Sequence, residues 1–496
     1  MLTATVAVPL LGALALVAWR SAGERAARAV AVAVSAVPLV LLVVAWIRFD
    51  TGSHQMFQLN EELTWIPTLG VAWRVGVDGI SLALALLGAL LFVAAAAYPV
   101  DTRERPRHYY GWLLFLEAVS IGLFLTTDLL VFYVLFDLSL VGMYFLIARW
   151  GHGDAHQAAL KFFLYTLAGS LVMLLGILGL YLKTDPLTFD MATIIRTQPV
   201  AGAGVRAGFV LFALVVGLAV KTPLVPVHTW LPPAHVDAPG PVSAILAGVL
   251  LKMGTYGLIR LPLSMLRSTF ADWAPVLVVV AVVSIVYGSV VALGQSNVKA
   301  RIAYTSINHM GYAVLGIAVA GSSIGSRHAE ARSLALTGAT VEMVAHGLIT
   351  GALFLLAGSI WSRTEDYDLD HHGGLARPAP VFAAATTLAA FASLGLPGLA
   401  GFVAEVQIFI GTFAVYPVAA GIALLGLLVT AALFLQLLQK LFFGDLPTER
   451  EGFGDLAGAE RAVLGVLLGL VVLVGVYPRW LLDLVHATSR LLTGSG

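Results

Sequence analysis

The chain has no cysteine in 496 residues and little charge, 11% against the roughly 25% of soluble domains. Without a thiolate it cannot hold an iron–sulfur cluster through cysteine, attach haem through C-x-x-C-H or form a disulfide, so no redox centre is expected in the chain itself. Its 28 basic residues are matched by 28 acidic ones and no long basic run occurs, which removes nucleic acid as an expected partner. Also missing are a G-x-G-x-x-G opening a helix after a strand, a Walker-type lysine loop and an H-E-x-x-H pair, so nucleotide and zinc chemistry have no foothold. What fills the chain is apolar: 59% hydrophobic residues, 50 glycines and a mean hydropathy of +0.93. That is more than a soluble core of this size can hide, and the lipid bilayer is the expected surrounding.

Apolar stretches of about 18–25 residues recur along the chain, separated by short polar clusters and no low-complexity linker. They predict fourteen spanning helices, at 2–19, 29–47, 76–98, 110–126, 129–148, 159–182, 206–226, 241–263, 273–294, 302–320, 334–361, 379–416, 418–439 and 461–482. The first does not read as a signal peptide, because Arg20, Glu24, Arg25 and Arg28 follow the apolar run instead of preceding it. With loops assigned alternately, the inner side holds about 15 Lys and Arg and the outer side about 11, which favours both termini outside. The inner ones concentrate in 20–28, 103–107 and 440–461. Between Arg48 and Asp78 the chain is polar, with short runs at 56–59 and 71–75 flanking Pro67 and Gly70, and predicts an external β-hairpin. The expected class is an all-α polytopic membrane protein with one small external hairpin.

Two spans carry interruptions. The seventh ends on Lys221-Thr-Pro223-Leu-Val-Pro226, and the twelfth, too long for one straight crossing, contains Gly395-Leu-Pro-Gly398. Proline removes a backbone donor and frees a carbonyl, which in a membrane needs a cavity or a neighbouring helix. The broken spans lie five apart, the pattern of two five-helix repeats in opposite orientation, and matched discontinuous helices point to an ion pathway. The chain divides accordingly into 1–109 with three helices and the hairpin, a first repeat 110–263, a second repeat 264–444 and a last helix within 445–496.

Apart from residues near the ends, few titratable side chains fall inside spans: Glu117, Asp137, Lys221, Lys252, His309, Glu342, His346 and Glu405. A charge at mid-helix costs about 2.5–3.5 kcal/mol on insertion scales and so needs a partner, water or a task. Lys252 lies about 16 Å into its span at 1.5 Å per residue, too deep for easy snorkelling. A buried acid–base pair can serve packing alone. Two lysines and two acids beside two helix breaks, Asp137, Lys221, Lys252 and Glu405, point instead to a pathway. His309 and His346 carry less weight by themselves, since a lone histidine on an apolar helix is often only hydrogen-bonded to a neighbour. Glu342 precedes His346 at the spacing of a pair on one helix face, and Glu117 has no evident partner. His371 and His372 sit beside Asp366, Asp368 and Asp370 in a polar inner loop, a pattern more typical of a solvated turn than of a metal site. Neither a metal nor a bound cofactor is expected in the chain.

The run Lys221-Thr-Pro-Leu-Val-Pro-Val-His-Thr-Trp-Leu-Pro-Pro-Ala-His-Val-Asp-Ala-Pro239 resembles the signature of the antiporter-like subunits of respiratory complex I. Leu250-Leu-Lys-Met-Gly-Thr-Tyr-Gly-Leu258, Lys299-Ala-Arg-Ile-Ala-Tyr-Thr-Ser-Ile-Asn-His-Met-Gly311, Met343-Val-Ala-His-Gly-Leu348 and Gly395-Leu-Pro-Gly-Leu-Ala-Gly-Phe-Val-Ala-Glu405 resemble further blocks in the family order. The resemblance covers essentially the whole chain. It implies a fourteen-helix core with two inverted five-helix repeats in a bacterial inner membrane. It also implies a proton path from the acid of the fifth span through the lysines of the seventh and eighth, then through histidines to the ionisable residue of the twelfth. By position these are Asp137, Lys221, Lys252, His309, His346 and Glu405. Partners implied are other membrane subunits, especially the antiporter-like subunits L and N, and subunits that hold flavin, iron–sulfur clusters and quinone. Quinone reduction fed by NADH in those partners would supply the energy.

Glutamate at the twelfth-span site resembles subunit M, since subunits L and N and the related cation-antiporter subunits usually carry lysine there. The chain also ends about fourteen residues after its last apolar stretch, short of the long lateral helix the resemblance implies for subunit L. At the fifth span the family usually reads Trp-Glu, whereas here the run is Leu135-Phe136-Asp137-Leu138, with Gly142 where proline is common. The carboxylate sits on a shorter arm, and an Asp137–Lys221 pair, direct or through one water, is the expectation that this departure puts to the test. A subunit of a multi-subunit sodium/proton antiporter, or the membrane module of a related hydrogenase or other-donor complex, is the alternative; Glu405 alone separates the antiporter reading.

Overall fold

The computed structural model describes all residues except 101, 103, 203, 324–327 and 495–496, so Arg103 of the basic cluster expected on the inner side lies outside the described residues. Helices α1 (Leu2–Ala18) and α2 (Glu24–Arg48) lead into strands β1 (Gln58–Ile66) and β2 (Val71–Val77). Then come α3 (Gly79–Ala97), α4 (Pro106–Leu125), α5 (Leu129–Trp150), α6 (Ala155–Tyr181) and the short connector α7 (Met191–Thr197). The interrupted seventh crossing is α8 (Val205–Lys221) with α9 (Leu231–Asp237), and the eighth is α10 (Gly240–Ile245) running on into α11 (Leu251–Leu258). The second half holds α12 (Arg267–Leu293), α13 (Val298–Gly321), α14 (Ala329–Thr364), α15 (Pro380–Ser393), α16 (Ala400–Val415), α17 (Pro417–Phe442), α18 (Gly458–Val476) and α19 (Arg479–Thr493).

All fourteen apolar stretches are helical over most of their length. Among the described residues ten helical runs are by themselves long and apolar enough to cross a membrane, and α1, α15 and α16 are shorter apolar helices. Burial sorts them. The run Gly240–Leu263, α13 and α14 are buried on nearly every face, as helices that are apolar all round must be at the centre of a bundle. In contrast α1, α2, α6, α12, α17 and α18 bury one stripe and turn leucine and valine outward. The same neighbour relations recur in both halves: α4 on α5 and α6 on α8, then α12 on α13 and α14 on α16.

The expected hairpin is present, with Glu62 opposite Arg74 and Leu63 opposite Trp73. Arg74 reaches across the pair to Glu62 at 3.0 Å and down to Asp128 at 2.8 Å, the residue whose side chain caps α5. Asp78 caps α3 in the same way and pairs with the buried Arg260, so two capping carboxylates fasten the hairpin end of the bundle.

Three boundaries differ from expectation. The seventh crossing does not stop at 226: Pro223 and Pro226 end α8, but the chain turns through 222–230 and re-enters helix, with Pro232 in the first turn of α9, where no donor is needed. The eighth is continuous but carries π turns at Leu246–Leu250 and Ile259–Leu263 on either side of α11. The fourteenth stops at Val476, because Pro478 follows, and the residues beyond fold separately as the amphipathic α19, with Leu481, Leu484 and Val485 inward and Arg479 and Asp483 outward.

Candidate functional site

The first broken helix delivers Lys221. It is the last residue of α8, where unpaired carbonyls and the helix dipole favour a cation. Its Nζ donates to Ser139 Oγ of α5 at 2.9 Å and lies 5.0 Å from the centre of the Phe136 ring. The expected direct pair with Asp137 is not formed. Residues two apart on a helix point to different faces, and an ammonium seated over Ser139 is beyond the short aspartate arm. Asp137 is half-buried, its Oδ1 has no hydrogen-bond partner among the described residues, and its charge still acts on Lys221.

The break itself is sealed. Trp230 Nε1 donates to the Val220 carbonyl at 2.8 Å, satisfying a group freed by the prolines. Against it packs Gly254, where a Cβ would lie 2.7 Å from Thr222 N and 2.9 Å from Leu218 O, so only glycine lets α11 approach this closely. The Thr222 hydroxyl is buried there without a partner among the described residues, between the break and the turn of helix that carries Lys252. Lys252 Nζ donates to the Ala247 carbonyl at 2.7 Å, within the π turn, and to His346 Nδ1 at 2.6 Å. Single π turns of this kind recur at functional sites.

His346 continues the row. Its Nε2 has no partner among the described residues, and its ring centre is 5.5 Å from that of His309. His309 spans two helices, Nδ1 lying 3.0 Å from Glu342 Oε1 of α14 and Nε2 3.1 Å from Ser393 Oγ, the last residue of α15. The spacing of Glu342 and His346 along α14 therefore misleads: each takes a partner on another helix, and they do not pair with each other. Beyond the second break, the buried Glu405 carboxylate occupies the space over Gly395, which has φ +74° and where a Cβ would collide with it. The charges of Glu342 and Glu405 act on each other.

Lys252, His346, His309 and Glu342 thus form one buried row of contacts, with Lys221 at the first break, Glu405 just past the second, and Asp137 set apart beside Lys221. Sequence reasoning left Glu342 as a local pair and did not find Ser139, Thr222 or Ser393, because a hydroxyl in an apolar helix carries no signal of its own. It also missed Lys299 and His235. Lys299 is buried, donating to the His235 carbonyl at 3.0 Å, to Ser243 Oγ at 3.2 Å and to the Ala238 carbonyl. His235 is buried with both ring nitrogens unpartnered among the described residues, and the charges of Lys252 and Lys299 both reach it. A lysine in the first turn of a helix, against the dipole, was the available signal. Glu117 lies off the row and accepts from Ser35 Oγ at 2.6 Å.

In the loop after α14 His371 pairs with Asp366 at 2.8 Å, and Arg450 shares that carboxylate at 2.8 Å. The hydrogen bond and charge of Asp366 hold the His371 pKa above its ordinary value. Burial would raise the pKa of Asp366, but the Asp368 N–H and His371 outweigh it and hold it below the ordinary carboxylate range. Among the described residues no group of three or more His, Asp or Glu is placed to hold a metal ion.

A profile of the family described as NADH:quinone oxidoreductase/Mrp antiporter, transmembrane, matches residues 126–433. NAD(P)H-quinone oxidoreductase chain 4 1 of a Picosynechococcus species is 38% identical over 491 residues, covering 96% of this chain and 89% of that one. Chain 4-2 of a Synechocystis species is 39% identical over 455 residues, covering 90% and 78%. A chain of respiratory complex I from Thermus thermophilus superposes with a TM-score of 0.87 at 30% identity, over 99% of this chain and all of that one. A chain of the Mrp complex from a Dietzia species gives 0.88 at 24% identity, covering 100% and 97%, which shows the fold alone. The chain is an integral membrane protein and belongs to the family of antiporter-like membrane subunits that NADH:quinone oxidoreductases share with Mrp antiporters.

Proposed function

We propose that this chain is the proton-translocating membrane subunit of an NADH- or NAD(P)H-fed quinone oxidoreductase, of the subunit-M type, and that the buried row is its conductor. The observation that carries this reading is the buried contact chain Lys252–His346–His309–Glu342, with Lys221 held at one helix break and Glu405 just past the other. Unit charges 4 Å apart at an effective dielectric near 20 interact by about 4 kcal/mol. Moving a charge against 100 mV costs about 2.3 kcal/mol, so a change of protonation at one member can drive the next. Asp137, half-exposed at one end, modulates Lys221 through its field, with Ser139 as the contact. Fourteen crossings with both ends outside fit this reading, as does a bacterial inner membrane.

The chain holds no fuel. Flavin, iron–sulfur clusters and the quinone belong in this reading to partner subunits, and its membrane neighbours are further antiporter-like subunits of the L and N type. Glu405 favours it over a sodium/proton antiporter subunit, for which lysine is the usual residue at that place. Isolation of the complex from its native membrane tests the choice. Co-purification with peripheral subunits and quinone reductase activity supports the proposal, and co-purification with only small membrane subunits refutes it.

A further inference from the structure

Helix α19 lies across the hairpin end of the bundle. The N–H of Gly79, first residue of α3, donates to Thr488 Oγ1 at 2.9 Å, and the Leu484 carbonyl sits directly over Gly79. The helix is thereby fastened over the ends of α3 and α14. Its His486 is turned partly inward, with Nδ1 3.2 Å from the hydroxyl of Thr337, a buried residue of α14. Thr337 precedes Glu342 by about 7.5 Å of helix rise. Its neighbour Gly338 packs on Gln407 and on the carbonyl of Ala404, the residue before Glu405 in α16. One turn further out, the Ser333 hydroxyl is buried without a partner among the described residues. The Thr337 hydroxyl therefore stands between the Glu342–Glu405 end of the row and a histidine that reaches water.

We propose that His486 is the group through which protons leave the row at the hairpin face, accepting at Nδ1 from Thr337 and releasing from Nε2 to the water outside. This rests on the proton-path reading given above. At rest the Thr337 hydroxyl donates to the Ser333 carbonyl at 2.9 Å; in each transfer it turns to give its proton to Nδ1 and takes one from the water or acid behind it, while the Nε2–H bond breaks. The ring keeps its net charge, and exchange between its two tautomers through bulk water resets it. The charged groups facing His486 are Glu330 of α14 and Asp483 and Arg490 of its own helix. Burial, and then Arg490, hold its pKa below the ordinary value, with Asp483 and Glu330 opposing, so the ring is neutral at pH 7 and free to accept.

A purely structural His486 would anchor α19 to α14 and nothing more. His486→Asn separates the two roles, because an amide keeps a hydrogen bond to Thr337 but does not titrate; Thr337→Val removes the hydroxyl at nearly constant shape. Both are introduced into the whole complex, and acidification of the lumen of inverted vesicles is followed per quinone reduced, with and without imidazole trapped in the lumen. The expected result is an assembled complex in which both variants lose lumenal acidification and lumenal imidazole restores it for His486→Asn only. Normal acidification in His486→Asn, or failure of that variant to assemble, overturns the proposal. Lys252→Met is measured alongside: if it too acidifies normally, the path reading itself fails, whereas a blocked Lys252→Met beside a normal His486→Asn rejects the exit alone.

Discussion

Replacing Lys252 with methionine removes the most enclosed ammonium of the row and keeps an unbranched side chain of similar volume. The cost follows from its contacts. The change strands two acceptors, the Ala247 carbonyl and His346 Nδ1. Each unsatisfied buried group costs about 1–3 kcal/mol, so about 2–6 kcal/mol for the two. Against this, removing a mid-helix charge recovers about 2.5–3.5 kcal/mol. Glu342 acts on Lys252 through its field and, among the described residues, no carboxylate touches the ammonium, so the roughly 3–5 kcal/mol penalty of breaking a buried ion pair does not apply. Assembly should survive while proton movement stops. Complex abundance on native gels and proton uptake per electron in membrane vesicles measure the two quantities side by side. Lys252→Arg, which keeps the charge but does not release a proton, should block in the same way. Loss of assembly ahead of pumping refutes the account of the contacts, and a normal proton ratio in an assembled Lys252→Met complex refutes the relay role.

Gly395→Ala meets both a positive φ and the Glu405 carboxylate, whereas Gly398→Ala, at φ +90°, meets open space. Backbone strain of about 1–3 kcal/mol is common to both, so thermal inactivation should shift for each but proton transport should fall further for Gly395→Ala; equal transport would sink the proposed fit. Ser139→Ala leaves Lys221 without its hydrogen bond and should slow proton transfer, and Ser139→Thr should restore it; equal rates in the two would take Ser139 off the path. The loop around Asp366 and His371 should resist protease best between about pH 4 and 6.5. The raised His371 pKa contributes fully below the ordinary histidine value and is lost as pH rises through the raised one, while the lowered Asp366 pKa contributes above the ordinary carboxylate value and is lost as pH falls through the lowered one. A flat cleavage profile, or one unchanged in His371→Ala, contradicts the pair.

The helices were legible because lipid demands long apolar runs, and both breaks were legible because Pro223, Pro226 and Gly395–Gly398 leave backbone groups that only a special setting satisfies. The charged members of the row stood out for the same reason: Lys221, Lys252 and Glu405 have no business in hydrocarbon without a task or a partner. Pairing was less legible. Periodicity places Glu342 and His346 on one face of α14 but says nothing of which neighbouring helix each meets, and both turned to other helices. The π turns beside Lys252 depend on tertiary packing and leave no mark in residue type. Helix α19 was readable in principle, since Pro478 ends one helix and the leucines beyond it recur at helical spacing, but its polar face lacks the apolar run that reveals a crossing.

The central claim is that protons pass along the row as far as Glu405. The most direct measurement is the number of protons taken up per quinone reduced by the whole complex in sealed vesicles, wild type against Glu405→Gln. Glutamine keeps the size of the side chain over Gly395 but holds no titratable proton. The account predicts an assembled complex that still reduces quinone and takes up fewer protons per electron; an unchanged ratio in that complex would contradict it.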